Sequence, residues 1–340
     1  MIQGKVYVTK SLIDALAAAI DAKGSTTGGG TLAQLTTKVN NIPTGGSDNL
    51  PAWLSDTLTI LDFDGTAVAQ GAFSNHTNGG AGITFNLAHL SSIPSGAFQG
   101  TMIAGLSAPS AAGMSGMPWS GCSFPTAQQR PNGITISLPG IVTLVNATLH
   151  GLGSGSASPC PVLFRLPNLS NFMSSAYGLF AYMYMSQSAN GIAEIVQNAQ
   201  KDALPASGIR VYVPLLTALQ NNDCARMASL RTAELDNIVT LGNGIFQQAS
   251  NLTTVKLSAI QSIGSGCFQS CSALTSLILD IGDSANLPSL ADGYAFYSTP
   301  IASGTGYIYV TDSRVAELKA ATNWSAFAAQ IRPLSEYVAA

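Results

Sequence analysis

The sequence predicts a mainly β repeat solenoid with a small α-helical module at its N-terminus. Of the 340 residues only 9% are charged while 46% are hydrophobic, far fewer charges than the quarter found in an ordinary soluble domain. Apolar residues recur at a fixed interval in the C-terminal half, and many of the 34 glycines stand at the expected turns. A surface that is solvated through uncharged Ser, Thr, Asn and Gln side chains is more typical of strands and turns than of amphipathic helices.

The composition excludes several classes of function. The chain has 14 Lys and Arg residues and 17 Asp and Glu residues, which give a net charge of −3. The positive residues are scattered, so we expect no basic patch that could bind a phosphate backbone. No stretch has 18 consecutive apolar residues, which excludes a membrane-spanning helix from the expectations. The first residues lack the apolar region of a secretory signal, so we expect synthesis in a cytosol.

The periodic residues define the repeat. Within a unit an apolar residue is followed by a second six residues later and a third five residues after that. Successive units carry these positions as Leu235, Leu241, Phe246 and Leu252, then Leu257, Ile263, Phe268 and Leu274. Each position therefore returns after 22 residues, and such self-similarity indicates stacked strand and turn units whose apolar residues form inward ladders.

Weaker copies of the unit extend the repeat towards the N-terminus. The turn motifs ending in Phe73 and Phe98 parallel those ending in Phe246 and Phe268, with a glycine two residues earlier in each. About seven units can be followed, and a degenerate last unit ends in Phe296. The predicted core ladder contains Phe73, Phe98, Leu241, Phe246, Ile263 and Phe268.

One unit carries a recognisable motif, Cys271-Ser-Ala-Leu-Thr-Ser-Leu277. It resembles the BspA-type leucine-rich repeats, in which such a run follows Ile-Gly-x-x-Ala-Phe. The tail, residues 299–337, is similar to the closing segment of such proteins in phages and prophages of Gram-positive bacteria. The resemblance covers about residues 55–340 and implies a leucine-rich repeat solenoid with repeats of about 22 residues.

The N-terminus differs in kind from the repeats. Residues 11–23 and 31–42 have helical apolar spacing, and Gly28-Gly-Gly30 separates them. This module resembles segments near the start of phage tail-fibre and appendage proteins, which implies attachment to a virion. The predicted domains are residues 1–48 as attachment or oligomerisation module and linker, 49–310 as leucine-rich repeat solenoid, and 311–340 as a C-terminal capping segment.

Two insertions are expected to interrupt the solenoid, at about residues 99–133 and 178–209. The second includes a predicted helix over 192–201. Insertions in repeat proteins often emerge on the binding face, and their aromatic residues could contact a receptor protein or glycan. The candidate contacts are Trp119, Phe124, Tyr182 and Tyr184. The alternative is that these side chains pack inside the insertions, against the solenoid or against a neighbouring subunit.

A pair of carboxylates suggests a different chemistry. Leu61-Asp-Phe-Asp-Gly-Thr66 matches the first motif of haloacid-dehalogenase phosphatases, and the resemblance implies Asp62 as nucleophile, Asp64 as acid/base and Asp283 as Mg²⁺ ligand. Ile281-Gly-Asp-Ser-Ala-Asn286 resembles the Mg-binding Gly-Asp-Ser motif of the same enzymes. The acidic residue expected soon after Asp283 is, however, replaced by Leu287, and both motifs lie within the repeats. We therefore expect these carboxylates at turns or strand edges.

No other catalytic or metal-binding constellation is expected. His76, His89 and His150 are spread over different units without a neighbouring carboxylate at ligand spacing. The cysteines are odd in number and lack the C-x-x-C spacing, so we expect them to be reduced. They are Cys122, Cys160, Cys224, Cys267 and Cys271. Cys224 and Cys267 fall at or next to the phenylalanine ladder position, so we expect these two to be buried. We expect no cofactor, no metal and no enzymatic activity.

These expectations favour a phage virion structural protein, most directly a tail fibre or receptor-binding appendage that mediates host adhesion. Its partners would be other virion proteins, reached through the N-terminal module, and a host cell-surface receptor; nucleic acid and membrane insertion are not expected. By analogy with such appendages it would be a homo-oligomer such as a trimer. The alternatives are a capsid decoration or head-fibre protein, a bacterial surface adhesin, and the phosphatase.

Overall fold

The computed structural model describes residues 60–145, 149, 159–173, 192–283 and 286–338. The predicted N-terminal helical module, Tyr182, Tyr184 and His150 lie outside these residues.

The described residues form short strands joined by turns. In chain order the strands are β1 Ile60–Phe63, β2 Ile83–Leu87, β3 Ser92–Ile93, β4 Ile103–Ser107, β5 Gly113–Met114, β6 Ile134–Ser137, β7 Thr143–Val145, β8 Val162–Arg165, β9 Asn171–Met173, β10 Ile192–Val196, β11 Ile209–Tyr212, β12 Ala218–Leu219, β13 Thr232–Leu235, β14 Thr240–Leu241, β15 Thr254–Leu257, β16 Ser262–Ile263, β17 Ser276–Leu279, β18 Ser289–Leu290, β19 Tyr307–Val310 and β20 Ile331–Pro333. Two short α-helices follow β18, α1 at Pro300–Ser303 and α2 at Val315–Ala320.

Twelve of these strands form one parallel sheet, in the order β1-β2-β4-β6-β8-β11-β10-β13-β15-β17-β19-β20. The two-residue strands β12, β14, β16 and β18 form a second parallel sheet in the C-terminal half. The short strands β3 and β5, and β7 and β9, pair in two further two-stranded sheets, and we call these eight short strands the second row. Most repeats contribute one strand to the main sheet and one to the second row, and the apolar core lies between the two. The expectation of a mainly β repeat fold is confirmed.

Alternation along each main strand separates an inner face from an outer face. In β13, Ala233 and Leu235 are buried in the core, whereas Thr232 and Glu234 are partly exposed. The partners Thr254 and Ser276 continue the register of Thr232 into β15 and β17. Because successive side chains of a strand point to opposite faces, every outer-face residue has in-register neighbours on the adjacent strands.

Stacked aromatic rings run through the core on the turn side. The Phe246 and Phe268 rings lie 5.7 Å apart at 9°, and the Phe268 and Phe296 rings 5.4 Å apart at 10°. Gly244 and Gly266, two residues before the first two rings, have φ of 63° and 60°, the left-handed conformation that glycine adopts without strain. All six residues of the predicted ladder are buried.

Residues 99–133 do not form an insertion that emerges from the stack. They contain β4 in the main sheet and β5 in the second row, and the Trp119 ring stacks on Phe98 at 5.1 Å and 10°. Trp119 is fully buried and Phe124 is 2% exposed, so the prediction that these two side chains contact a receptor is wrong. The alternative of interior packing holds, because Trp119 takes the ladder position of a phenylalanine.

The helix predicted over 192–201 is also wrong. Residues Ile192–Val196 form β10, whose Ile192 and Ile195 face the core on either side of a bulge. β10 lies between β11 and β13 although it precedes β11 in the chain. The chain therefore passes over one strand position and returns to fill it, so β10 belongs to the main sheet.

The C-terminal segment ends the stack. β20 pairs with β19, and Leu318 of α2 is buried. Trp324 is buried, and its Nε1 donates a hydrogen bond of 2.7 Å to the carbonyl oxygen of Pro288. The Phe327 ring packs edge-on against Phe296 at 5.0 Å. The aromatic ladder is thus covered at this end.

Candidate functional site

The outer face of the main sheet carries one continuous row of side chains. Register places a single residue from each of the twelve strands in this row. In order they are Asp62, Asn86, Ser107, Ser137, Arg165, Tyr212, Val196, Glu234, Lys256, Ile278, Tyr309 and Arg332. The row passes from short polar residues, through a charged centre, to an aromatic and cationic end.

The centre of the row is covered by the chain itself. Residues 197–208, which connect β10 to β11, form what we call the covering segment. Its Asp202 accepts two hydrogen bonds from Arg165 of β8, at 2.7 and 2.5 Å. Its Lys201 forms an ion pair with Glu234 of β13. Because β8 and β13 lie three strand positions apart, the segment must cross the outer face.

Beneath the covering segment lies a sealed cluster. Leu163, Val196 and Tyr212 form a small apolar group separate from the main core. Arg210 pairs with Glu194 at 2.7 Å and donates a hydrogen bond of 3.0 Å to the carbonyl oxygen of Ala203 in the segment. Burial raises the pKa of Tyr212. Leu163, Val196 and Tyr212 are therefore shielded from solvent.

Beyond the covering segment the row is open towards its C-terminal end, from Lys256 on β15 to Arg332 on β20. We call the face of strands β8 to β13 the covered stretch, and the face of strands β15 to β20 the open stretch. There Tyr307 and Tyr309 project from β19, and with Tyr337 they form what we call the tyrosine cluster. The Tyr307 and Tyr309 ring centroids lie 6.2 Å apart, and the Tyr309 and Tyr337 centroids 5.1 Å apart. All three side chains are half-buried. The core faces away from them, since Ile308 and Val310 supply the buried side of β19.

Arg332 completes this end of the row. Its guanidinium carbon lies 5.2 Å from the centroid of the Tyr307 ring, a cation–π distance. In the part of the chain that the structure describes, no carboxylate lies within ion-pair distance of this guanidinium. Its one hydrogen bond there is a long one of 3.4 Å to the carbonyl oxygen of Ile331. The cation is held in place by the ring but keeps most of its donors available.

A charged group flanks the tyrosine cluster. The Lys256 ammonium lies 3.2 Å from Asp280 and 3.6 Å from Asp236. Partial burial alone would lower the pKa of Lys256, but the hydrogen bond to Asp280 and the charges of both carboxylates raise it overall. Ile278, between Lys256 and Tyr309 in the row, is only 5% exposed. The cluster therefore rests on a packed surface.

Tyr309 remains a neutral phenol over a wide pH range. Burial raises the pKa of its hydroxyl, and the neighbouring tyrosines and Glu336 raise it further. The hydroxyl can therefore both donate and accept a hydrogen bond at physiological pH. The site can bind a ligand by stacking on the tyrosine rings, by hydrogen bonds to the hydroxyl and through the Arg332 cation. These interactions suit ligand recognition.

A second pair of exposed tyrosines lies elsewhere. Tyr294 and Tyr297 are 66% and 55% exposed in the turn after β18, with ring centroids 6.1 Å apart. Among the described residues, no cation is seen over either ring, in contrast to Arg332 over Tyr307. Tyr294 and Tyr297 therefore serve as a control pair of the same residue type outside the tyrosine cluster.

The carboxylates of the phosphatase hypothesis do not form one site. Asp62 lies on β1 and accepts a hydrogen bond of 2.6 Å from Asn86, and Asp64 follows the same strand. Asp283 follows β17, nine strand positions away in the sheet, which is roughly 43 Å at the usual strand spacing. The resemblance to a phosphatase motif is therefore not matched by the geometry.

The described histidines and cysteines do not gather into a metal-binding cluster either. His76 is buried, and desolvation lowers its pKa, whereas His89 is exposed. All five cysteines are free and buried, and burial raises the pKa of the Cys160 thiol to about 11 and of the Cys271 thiol to about 12. Within the described ranges, no three His, Cys, Asp or Glu side chains gather as metal ligands, and no helix is long and apolar enough to cross a membrane.

Sequence reasoning missed the tyrosine cluster. The available signal was the alternation Tyr307-Ile308-Tyr309-Val310, which places both tyrosines on one face of a strand. Arg332 and Tyr337 could not be joined to them from sequence, because their contacts depend on β20 pairing in register with β19.

The parallel sheet, the second row of short strands and the stacked core form a mainly β repeat architecture that is consistent with a leucine-rich repeat fold. Residues 216–305 match six copies of the family described as BspA type Leucine rich repeat region. The expected resemblance to these repeats is confirmed there.

One solved structure similar to this chain is a leucine-rich repeat protein from Eubacterium ventriosum. The two are 12% identical, the match covers 70% of this chain and 83% of the other, and the TM-score is 0.25. No curated protein matches the chain.

Proposed function

We propose that this protein is a non-enzymatic adhesion protein of a phage virion, a tail fibre or receptor-binding appendage. Residues 1–48 would attach it to other virion proteins, and the repeat stack would present a binding surface to the host cell. The resemblance of residues 1–48 to tail-fibre segments supports the virion setting. The BspA-type repeats support a scaffold role.

The observation that carries the proposal is the tyrosine cluster with Arg332. These side chains lie on the face away from the core, and the fold has no evident need of them. Solvent-accessible aromatic residues beside an arginine are typical of the residues that dominate recognition surfaces. In the covered stretch of the same face, by contrast, Tyr212 is buried and Arg210 is paired with Glu194.

Antibody labelling of phage particles in the electron microscope tests the virion setting. Label at the tail supports the proposal. Label at the head would favour a capsid decoration or head-fibre protein. Label on the bacterial envelope, with none on particles, would overturn the virion setting in favour of a surface adhesin.

Adhesion is tested by the binding of the full-length protein to host cells. Tyr307→Ala combined with Tyr309→Ala should reduce binding at least tenfold. The matched control is Tyr294→Ala combined with Tyr297→Ala, which removes two tyrosines outside the cluster and should leave binding within twofold. Equal losses in both double variants would contradict the assignment of the surface.

Assembly is tested by the solution mass of the full chain and of a chain that begins near Leu50. We propose that the full chain is a homotrimer held by residues 1–48. A trimer that becomes a monomer on truncation is expected, whereas a trimer in both would place the contacts in the repeats.

A further inference from the structure

We propose that the tyrosine cluster and Arg332 bind a pyranose sugar that carries a carboxylate, such as a uronic or sialic acid residue of a surface glycan. This inference rests on the proposed adhesive function, because it names the ligand of the same surface. It assigns stacking to the tyrosines and charge recognition to the arginine.

The stacking part follows from the ring geometry. Two rings that project from one strand, 6.2 Å apart and tilted by 57°, form adjacent platforms rather than one flat plane. A pyranose presents an apolar face of C–H groups that packs on an aromatic ring. Tyrosine supplies such contact at a small entropic cost because its side chain has few rotatable bonds.

The charge part follows from Arg332. Its guanidinium is fixed over the Tyr307 ring and has no carboxylate partner among the described residues. The other outer-face cation of the open stretch, Lys256, is already neutralised by Asp236 and Asp280. A planar guanidinium binds a carboxylate through two parallel hydrogen bonds. The open stretch therefore has one positive charge available to one negative group.

Neighbouring hydroxyl groups suit the rest of a sugar. In register with Tyr307 are Ser276 and then Thr254 on the adjacent strands. Both are partly exposed, and the Tyr309 hydroxyl remains protonated. Hydroxyl groups that both donate and accept match the hydroxyls of a pyranose.

Other ligand classes fit this surface less well. A nucleic acid would need several cations along its backbone, and the open stretch offers one. A protein partner would need about 800 Å² of contact on each side, far more than three rings and a guanidinium provide.

The test measures binding of oligosaccharides to the full-length protein by calorimetry. The probes are oligogalacturonate and sialyllactose, each compared with its carboxyl-reduced, neutral form. We expect at least one acidic probe to bind, and its reduced form to bind at least tenfold more weakly. Arg332→Gln should abolish this preference while it leaves residual stacking affinity.

Two variants separate the stacking role from a general effect on the surface. Tyr309→Ala should lower the affinity for the acidic and the neutral form alike, and Tyr294→Ala should change neither. A thermal melt of each variant verifies that it is folded, and Tyr309→Phe, which keeps the ring, should retain most of the affinity.

The inference is overturned if no acidic probe binds, if acid and reduced forms bind equally, or if Arg332→Gln keeps the preference. Host-cell binding that persists in such a case, and that protease treatment of the cells abolishes, would leave the adhesive function intact with a protein receptor. If the full-length protein does not bind host cells at all, the proposed adhesive function is rejected as well.

Discussion

The covered and the open stretches of the outer face are built on the same parallel sheet, yet their side chains are used differently. In the covered stretch Arg165 and Arg210 each have a carboxylate partner, and Tyr212 is sealed. In the open stretch Arg332 has no such partner among the described residues, and Tyr309 remains accessible. The sheet thus supports both stretches, and the segment that crosses it determines which part is accessible to a ligand.

The difference also divides stability from recognition. Side chains under the covering segment are desolvated, so an unpaired charge there would be costly. Side chains of the open stretch contact solvent, and their removal costs the fold little. Substitutions should therefore affect unfolding in one stretch and binding in the other.

The largest expected effect comes from the core that supports both stretches. Phe268→Ala removes a ring stacked between Phe246 and Phe296 and should lower the free energy of unfolding by about 3–5 kcal/mol. Urea denaturation measures this loss, and Phe268→Leu should lose less because it fills more of the cavity. A loss below about 1 kcal/mol for the alanine variant would contradict a ladder-based core.

The second prediction contrasts one arginine from each stretch. Arg210→Ala leaves Glu194 without its partner beneath the covering segment and should cost about 2 kcal/mol of unfolding free energy. Arg332→Ala on the open stretch should cost less than about 1 kcal/mol. Denaturation of the two variants compares them, and a reversed order would show that the open arginine is structural.

The third prediction concerns pH and lies outside both stretches. Burial lowers the pKa of His76 below its ordinary value, so the native state holds the imidazole neutral while the unfolded chain binds a proton below about pH 6.5. Its contribution is thus present above that pH and is lost as the pH falls towards the lower native pKa.

The melting temperature followed from pH 7.5 to 5 measures this loss, and His76→Phe should flatten the profile in that window. A variant profile as steep as that of the parent protein would assign the acid sensitivity to other groups.

The smallest expected effect is that of an exposed ion pair in the covered stretch. Lys201 pairs with Glu234, but its side chain is 38% exposed, so solvent screens the interaction. Lys201→Met should cost less than about 1 kcal/mol, and the difference should shrink further in high salt. A larger cost that is independent of salt would show that the covering segment depends on this pair.

The inward ladder could be predicted from the sequence because its determinants are local and periodic. Phe246 and Phe268 each follow a glycine at the same offset, and their burial follows from the fixed spacing. Trp119 lies outside that fixed spacing, so the sequence predicts an insertion there, although its ring fills the ladder position next to Phe98. The repeat fold was therefore predictable, and its irregular units were not.

The non-local features escaped the sequence. Ile192-Ala-Glu-Ile-Val196 has apolar spacing that fits a helix or a buried strand, and only tertiary pairing decides between them. The position of β10 between β11 and β13 reverses the chain order, and no local pattern encodes such a reversal. The covering segment, and with it the boundary of the open stretch, depends on that reversal.

Hydroxyl-radical footprinting of the tyrosines, with and without host cell-surface glycan, tests the central claim most directly. We expect the glycan to protect Tyr307, Tyr309 and Tyr337 from oxidation, to leave Tyr294 and Tyr297 reactive, and to change nothing at buried Tyr212. Protection of Tyr294 and Tyr297 with none at the tyrosine cluster would contradict the claim that the open stretch of the outer face is the binding surface.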